Sequence, residues 1–254
     1  MRLGQRPLDC GVRLQVNMIN LMLGDCLERM KEIPDRSVDM VLCDLPYGTT
    51  ACKWDVVIPF EPLWEQYKRI IKDRGAIVLF GSEPFSSYLR MSNIKQYKYD
   101  WVWDKKIAIG FQVAKYRPMQ QHENISVFGN GPINYYPIMV ERPQVRESRL
   151  YGNSEVSPIA NIKFRDRKYT HWYPKSIIIE SGADHSNILH PTQKPVALLE
   201  YLIKTYTLEG ETVLDNCMGS GSTGVACKNL NRKFIGIEKD ETYFKIAQDR
   251  IAAI

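Results

Sequence analysis

The chain has 254 residues, 44% hydrophobic and 25% charged, with a net charge of +5; a length and composition of this kind allow one sizeable core and exclude disordered and fibrous classes. No apolar run approaches the roughly 18 residues that cross a bilayer, and the opening "MRLGQRPLDCG" has no apolar core for a signal peptide. The six cysteines and four histidines show no zinc-ligand spacing, so a cytoplasmic protein with reduced thiols, no membrane association and no metal is expected.

The first seventeen residues carry no apolar periodicity, and "INLML" at residues 19–23 reads as the first strand. A helix is predicted over residues 27–33, then "VDMVLC" as a strand at 38–43, a helix over 62–72 and "GAIVLF" as a strand at 75–80. Such alternation argues for a parallel sheet covered by helices. Residues 105–190 break the pattern. They are aromatic, basic, rich in Pro, Asn and Gly, and without clear periodicity, and so read as an insertion carrying long loops. Much of the positive charge gathers there, with eight Lys or Arg against four Asp or Glu between residues 141 and 175. The α/β pattern resumes with "TVLD" at 212–215, a helix after Gly224, "FIGIE" at 234–238 and a helix from residue 241 to the end.

Two stretches carry chemistry. In "LDNCMGSGSTG", Gly219, Gly221 and Gly224 spell G-x-G-x-x-G, and Glu238 ends the next strand 19 residues after Gly219. That is dinucleotide-binding spacing, in which glycines allow close backbone approach and the acid takes ribose hydroxyls. A NAD-dependent enzyme is one reading, but only sixteen residues follow Glu238, too few for a second mononucleotide-binding half. A tight turn with a helix cap is the plainer one. The second stretch is "VLCDLPYGTTACKWD", residues 41–55, where an apolar strand runs into Asp44, Leu45, Pro46 and Tyr47. Alone it is a strand entering a turn. Yet Asp25, Asp44, Asp215 and Glu238 all fall at or just past the carboxyl ends of predicted strands, where parallel sheets bind their ligands.

Together these segments resemble the S-adenosylmethionine-dependent DNA amino-methyltransferases of the β group, in which the catalytic motif precedes the cofactor motif. "DLPY" is similar to that family's D-P-P-Y motif, "DNCMGSGSTG" to its D-P-F-x-G-S-G-T loop, and "HPTQKPVALLEYLIKTYT" to the segment leading into that loop. "LGDCLERMKEIPDRSVDMVLCD" and "FIGIEKDETYFKIAQDRI" also match family segments. Leu45 stands in place of the first motif proline and Cys217 in place of the loop phenylalanine.

The resemblance implies a Rossmann-like methyltransferase fold, α/β with a parallel-rich sheet, a circularly permuted motif order and an inserted target-recognition region. Residues 1–17 would be an N-terminal extension, 18–104 the catalytic half, 105–190 the insert and 191–254 the cofactor half. It further implies double-stranded DNA as substrate, with a base flipped from the stack. The Asp44 carboxylate and Leu45 carbonyl would accept the N–H bonds of the target amine, with Pro46 stiffening the turn and Tyr47 stacking on the base. Glu238 would hold the cofactor ribose, Asp25 its adenine amine, and Gly219 and Gly221 would approach its methionine part. Asp215 would order the loop or meet the amino-acid moiety, and Thr192 and Lys194 would meet the carboxylate. Asp25 reads equally as a helix N-cap and Lys194 as a solvated lysine.

Base readout is expected from the middle segment, where "QVAKYRPMQQHEN" and "NIKFRDRKYTHWYPK" hold suitable side chains. Aspartate as the first motif residue favours adenine over cytosine-N4 in the resembled family. Cytosine-C5 chemistry is disfavoured, because that family's nucleophile follows a proline and no cysteine here does. A non-catalytic DNA-binding module accounts only for the basic segment. A homodimer and a cognate restriction endonuclease are further partners compatible with the resemblance.

Overall fold

A computed structural model describes residues 18–49, 55–147, 168–182 and 193–254; the N-terminal extension, Thr192 and much of the basic stretch lie outside them. The apolar runs expected as strands do form strands, and further strands join them. In chain order these are β1 (Ile19–Leu23), β2 (Val38–Cys43), β3 (Ile71–Gly81), β4 (Tyr97–Ile109), β5 (Gln120–Phe128), β6 (Val140–Glu147), β7 (Lys168–Trp172), β8 (Ile177–Ile179), β9 (Thr212–Asp215) and β10 (Lys233–Glu238). Six α-helices accompany them among the described residues: α1 (Cys26–Met30), α2 (Phe60–Ile70), α3 (Phe85–Ser92), α4 (Val196–Tyr206), α5 (Ser222–Asn229) and α6 (Glu241–Ala252).

Eight strands form one sheet in the order β1-β10-β9-β2-β3-β5-β4-β8, and β6 pairs with β7 in a separate antiparallel ribbon. Only β5 runs against the others in the large sheet, since it is antiparallel to both β3 and β4 while every other pairing is parallel. Every residue of β2 is buried. That is the signature of a central strand covered on both faces, which explains why it reads as a continuous apolar run. On one face, Met40, Leu42, Val78 and Phe80 pack with α4, α5 and α6; on the other, Val41, Cys43, Ile77 and Leu79 pack with α1, α2 and α3. The result is a three-layer α/β/α arrangement. No helix among the described residues is long and apolar enough to cross a membrane.

The differences from expectation have local causes. α2 ends at Ile70 because Ile71 takes an extended backbone and begins β3 at once. α5 starts at Ser222, before Gly224, because Gly221 adopts φ 78° and caps it. α1 stops at Met30, short of residue 33. The larger difference lies in the middle segment. β4 runs through residue 105 to Ile109, and β5 and β8 join the main sheet, so part of the supposed insertion is sheet core. β5 escapes a periodicity search because its first residues are polar and exposed while Ile125, Ser126, Val127 and Phe128 are all buried, leaving no two-residue alternation.

α4 packs on the first of these faces, with Leu202 fully buried among its residues. Leu202→Ala is expected to lower the unfolding free energy by about 2–5 kcal/mol. Denaturant titration checks this, and a loss well under about 1 kcal/mol would contradict the packing.

Candidate active site

The chain leaves β9 through α5 to β10 on one side, and leaves β2 through α2 to β3 on the other. β9 and β2 are neighbours, so the strand order reverses between them and opens a crevice at their carboxyl ends. A cleft of about 910 Å³ lies there. Asp25, Asp44, Leu45, Pro46, Tyr47, Lys194, Asp215, Gly219 and Glu238 all line it. Gly221 does not. Its φ of 78° and a would-be Cβ only 2.9 Å from Ala247 Cβ give it a packing role against α6, not one toward the cleft. Thr192 lies outside the described residues.

On the β2 side, the Tyr47 hydroxyl donates to Asp44 Oδ1 at 2.5 Å, and the Tyr47 ring stacks on Phe85 with centroids 4.9 Å apart and planes inclined 28°. One face of the tyrosine is therefore covered from within. The turn beyond is held by Asp55, whose carboxylate accepts from Gly48 N at 2.8 Å and Thr49 N at 2.9 Å. Leu45 is buried with its side chain in the core face formed with α1, α2 and α3. Lys194, expected at a cofactor carboxylate or in solvent, is nine-tenths buried and donates to Asp44 Oδ2. Its ammonium also lies 3.6 Å from Glu123 Oε2 and 5.2 Å from the Phe80 ring centroid. Glu123 in turn accepts from Lys105.

Burial pushes the Asp44 carboxyl above the usual carboxylate range, with Lys194 opposing the shift and Glu123 adding to it. For Glu123, burial acts upward but Lys194 and Lys105 outweigh it and hold the group below its ordinary value. Lys194 shows the mirror case: burial disfavours its charge, and the two carboxylates more than compensate, raising it.

On the β9 side, Asp215 is buried; its Oδ1 accepts from Cys217 N at 3.1 Å and its Oδ2 from the Thr223 hydroxyl at 2.6 Å. Neutral donors offset burial only partly, so Asp215 is pushed up to about 6. Glu238 accepts from Gly219 N and Asp240 N, each at 2.8 Å, and each oxygen keeps a further lone pair for a ligand. Asp25 caps α1 through Leu27 N at 3.0 Å and also lines the cleft, with Lys239 Nζ 3.3 Å from its other oxygen.

Sequence reasoning missed Glu123, Lys105, Asp55 and Phe85. Glu123 falls within a stretch expected to read bases, and only the pairing of β5 with β3, which sets Asn124 opposite Gly81, and of β3 with β2 brings it toward Asp44. No cluster of metal-ligating side chains occurs among the described residues.

Known proteins resemble this chain over most of its length. The model of the N6/N4 methyltransferases, described as DNA methylase, matches residues 38–249. The Type II methyltransferase M.HpaI of Haemophilus parainfluenzae is 27% identical over 246 residues, 91% of this chain and 73% of its own. The Type II methyltransferase M.HinfI of Haemophilus influenzae is 26% identical over 262 residues, 92% of this chain and 68% of its own. Among solved structures, the M1.HpyAVI–SAM complex superposes with a TM-score of 0.62 at 26% identity, covering 92% of this chain and 98% of that one. The cytosine-N4-specific PvuII DNA methyltransferase, at 15% identity and a TM-score of 0.64 over 93% of each chain, shares the fold.

The Asp215 carboxyl supplies a test of the burial argument. Its folded value lies above its unfolded one, so its contribution to stability is full below about pH 4 and is lost as pH rises through about 6. Relative to Asp215→Asn, the wild-type protein is expected to lose up to about 3 kcal/mol of unfolding free energy between about pH 4 and about pH 7. Parallel pH curves for the two proteins in denaturant titrations would contradict it.

Proposed function

The chain belongs to the N6/N4 DNA methylase family, and on that premise we propose that it transfers a methyl group from S-adenosylmethionine to the 6-amino group of adenine in duplex DNA. Membership carries the coarser activity, methylation of DNA at an exocyclic amino group of adenine or cytosine. The choice of base and the residue roles are the proposal. The observation that carries it is the convergence at one cleft of the Asp44–Tyr47 turn and the glycine loop, from segments about 170 residues apart.

The cofactor suits the cleft. Two carboxylates at strand ends, Asp25 and Glu238, offer acceptors for an amine and for ribose hydroxyls, and Gly219, at φ 52°, carries no Cβ where the loop turns beside Glu238. S-adenosylmethionine supplies an electrophilic methyl on a sulfonium. Asp215 acts through the loop, since both its oxygens are occupied by loop and α5 donors. A NAD-dependent reading accounts for the glycine loop alone and leaves the Asp44 turn without a purpose.

An exocyclic amine is a weak nucleophile because its lone pair is delocalised into the ring. The Asp44 carboxylate and Leu45 carbonyl each take one N–H bond, favour a tetrahedral nitrogen and stabilise the positive charge that develops there. The amine then loses one proton: the N–H bond breaks and Asp44 receives it. No covalent intermediate with the protein is needed, and positioning carries much of the rate. Tyr47, backed by Phe85, presents its remaining face to a flipped base, a contact worth on the order of 1–3 kcal/mol.

The β4–β5 end of the insert suits a duplex partner. Lys105, Ile107 and Ile109 line the cleft, while Phe111 and Tyr116 are 79% and 88% exposed beside Lys115 and Arg117. Exposed aromatics among basic side chains match stacked bases and phosphates. Residues 105–182 outside the sheet core are accordingly assigned to target recognition. Adenine is preferred to cytosine on the first motif residue, Asp44, following the correlation in the resembled family.

Asp44→Ala is expected to abolish transfer while calorimetric affinity for S-adenosylmethionine stays within a few fold; lost cofactor binding in a folded variant would contradict the assignment. Nucleoside mass spectrometry after incubation with unmodified DNA is expected to reveal 6-methyladenine. Accumulation of 4-methylcytosine alone would overturn the base and keep the family activity.

A further inference from the structure

Four charged side chains meet at the corner of the cleft beneath the Asp44 turn, and each comes from a different element. Asp44 follows β2, Lys105 lies on β4, Glu123 on β5, and Lys194 just precedes α4. Lys194 donates to Asp44 and approaches Glu123, and Lys105 binds the far side of Glu123. Two carboxylates thus face two ammonium groups. Other titratable groups around Asp44 are Tyr47 on its own turn, Cys43 at the end of β2 and Asp215 at the end of β9.

The cluster solves one problem and creates another. A carboxylate taken from water is costly, and without a cation it takes a proton and becomes a poor acceptor. Lys194 meets that cost. But an ammonium seated on Asp44 Oδ2 also competes with the target amine for the same oxygen, while Oδ1 is engaged by Tyr47. Glu123 offers the ammonium an alternative seat. Its Oε2 is buried, has no hydrogen-bond partner among the described residues, and lies 3.6 Å from Lys194 Nζ. A buried acceptor left unsatisfied is costly, and a small movement of Lys194 toward it recovers that cost.

We propose that Lys194 and Glu123 are positioning residues for methyl transfer: the ammonium keeps Asp44 ionised before the target base arrives and yields Oδ2 to the target amine by moving onto Glu123 Oε2. This rests on the reading of Asp44 as the acceptor of the target amine. No bond is made or broken in the movement, and the charge of the corner is unchanged.

The test is the pH profile of single-turnover methyl transfer, measured with radiolabelled S-adenosylmethionine at saturation and adenine-unmethylated genomic DNA. Lys194→Met removes the compensating cation, so its acidic limb is expected to move to higher pH, with activity partly regained in alkali. Glu123→Gln removes the like charge beside Asp44, so its limb is expected to move to lower pH. Its plateau is expected to fall about tenfold, because the ammonium loses its second anionic seat. Lys194→Arg keeps the cation and is expected to leave the limb near the wild-type position. A residue that merely supports the fold would scale the profile without moving it, and opposite movements cannot arise that way. Calorimetric affinity for S-adenosylmethionine is expected to stay within a few fold in all three variants. Unmoved limbs in the folded variants overturn the inference, as does a tenfold or greater loss of cofactor affinity in Lys194→Met with an unmoved limb, which would return Lys194 to the cofactor carboxylate. If Lys194→Met does not fold, the limb of Glu123→Gln decides. Absence of transfer by the wild-type protein overturns the functional reading and this inference together, whereas transfer with unmoved limbs overturns the inference alone.

Discussion

The pairing of β2 with β9 is short, Met40 with Val213 and Val41 with Leu214, yet the site depends on it. It sets side by side two strand ends that the chain separates by about 170 residues, so the Asp44 turn and the glycine loop open into one crevice. The pairing is secured at both ends. At the strand starts, buried Asp39 accepts from Thr212 N at 2.9 Å and pairs with Lys72 at 2.8 Å. Near the strand ends, the buried Tyr67 hydroxyl on α2 donates to Asn216 Oδ1 at 2.6 Å, binding the helix after β2 to the loop after β9. Polar groups so buried and so paired resist slippage, since a shift in register would leave each of them unsatisfied.

With the strands fixed, two aspartates at adjacent strand ends meet different fates. Asp215 is satisfied by a backbone amide and a hydroxyl, neutral donors that hold a loop in shape and leave the acid pushed up to about 6. Asp44 has an ammonium and a phenol for partners. In the proposed reaction that difference separates an acid that orders a loop from one that must be ionised when the target amine arrives. Glu238 is a third case: it sits at the cleft edge on two backbone amides, with lone pairs left for a ligand.

Much of this was legible in the sequence, for a physical reason. Interior parallel strands need continuous apolar runs, and ligands sit where those runs end, so β2, β9 and β10 and the acids after them could be read without a structure, as could the short apolar run of the edge strand β1. Asp25 invites two readings because one residue both caps α1 and lines the cleft. The corner was not legible. Glu123 stands on a strand whose polar beginning looks like loop, and its partnership with Lys194 joins segments related only by the sheet order. Gly221 misled in the other direction, because a glycine required by φ 78° and contact with Ala247 looks in sequence like one required by a ligand.

The two departures from the family motifs follow from the same packing. A motif proline fixes φ, whereas Leu45 reaches its conformation through anchorage, its side chain seated in the core against α1 and α2. The backbone carbonyl proposed as acceptor is common to both residues, so the exchange trades local stiffness for burial and keeps the acceptor. Cys217 is smaller than phenylalanine, and the room is shared with Cys26, which lines the cleft beside it, and with buried Cys43 beneath. Burial pushes the Cys43 thiol up to about 12, and the other two are raised as well, so all three are protonated at neutral pH. As thiols they behave as small, soft apolar groups. The three thiols thereby add no charge to the part of the cleft that lies beside Asp215, between Asp44 and Glu238.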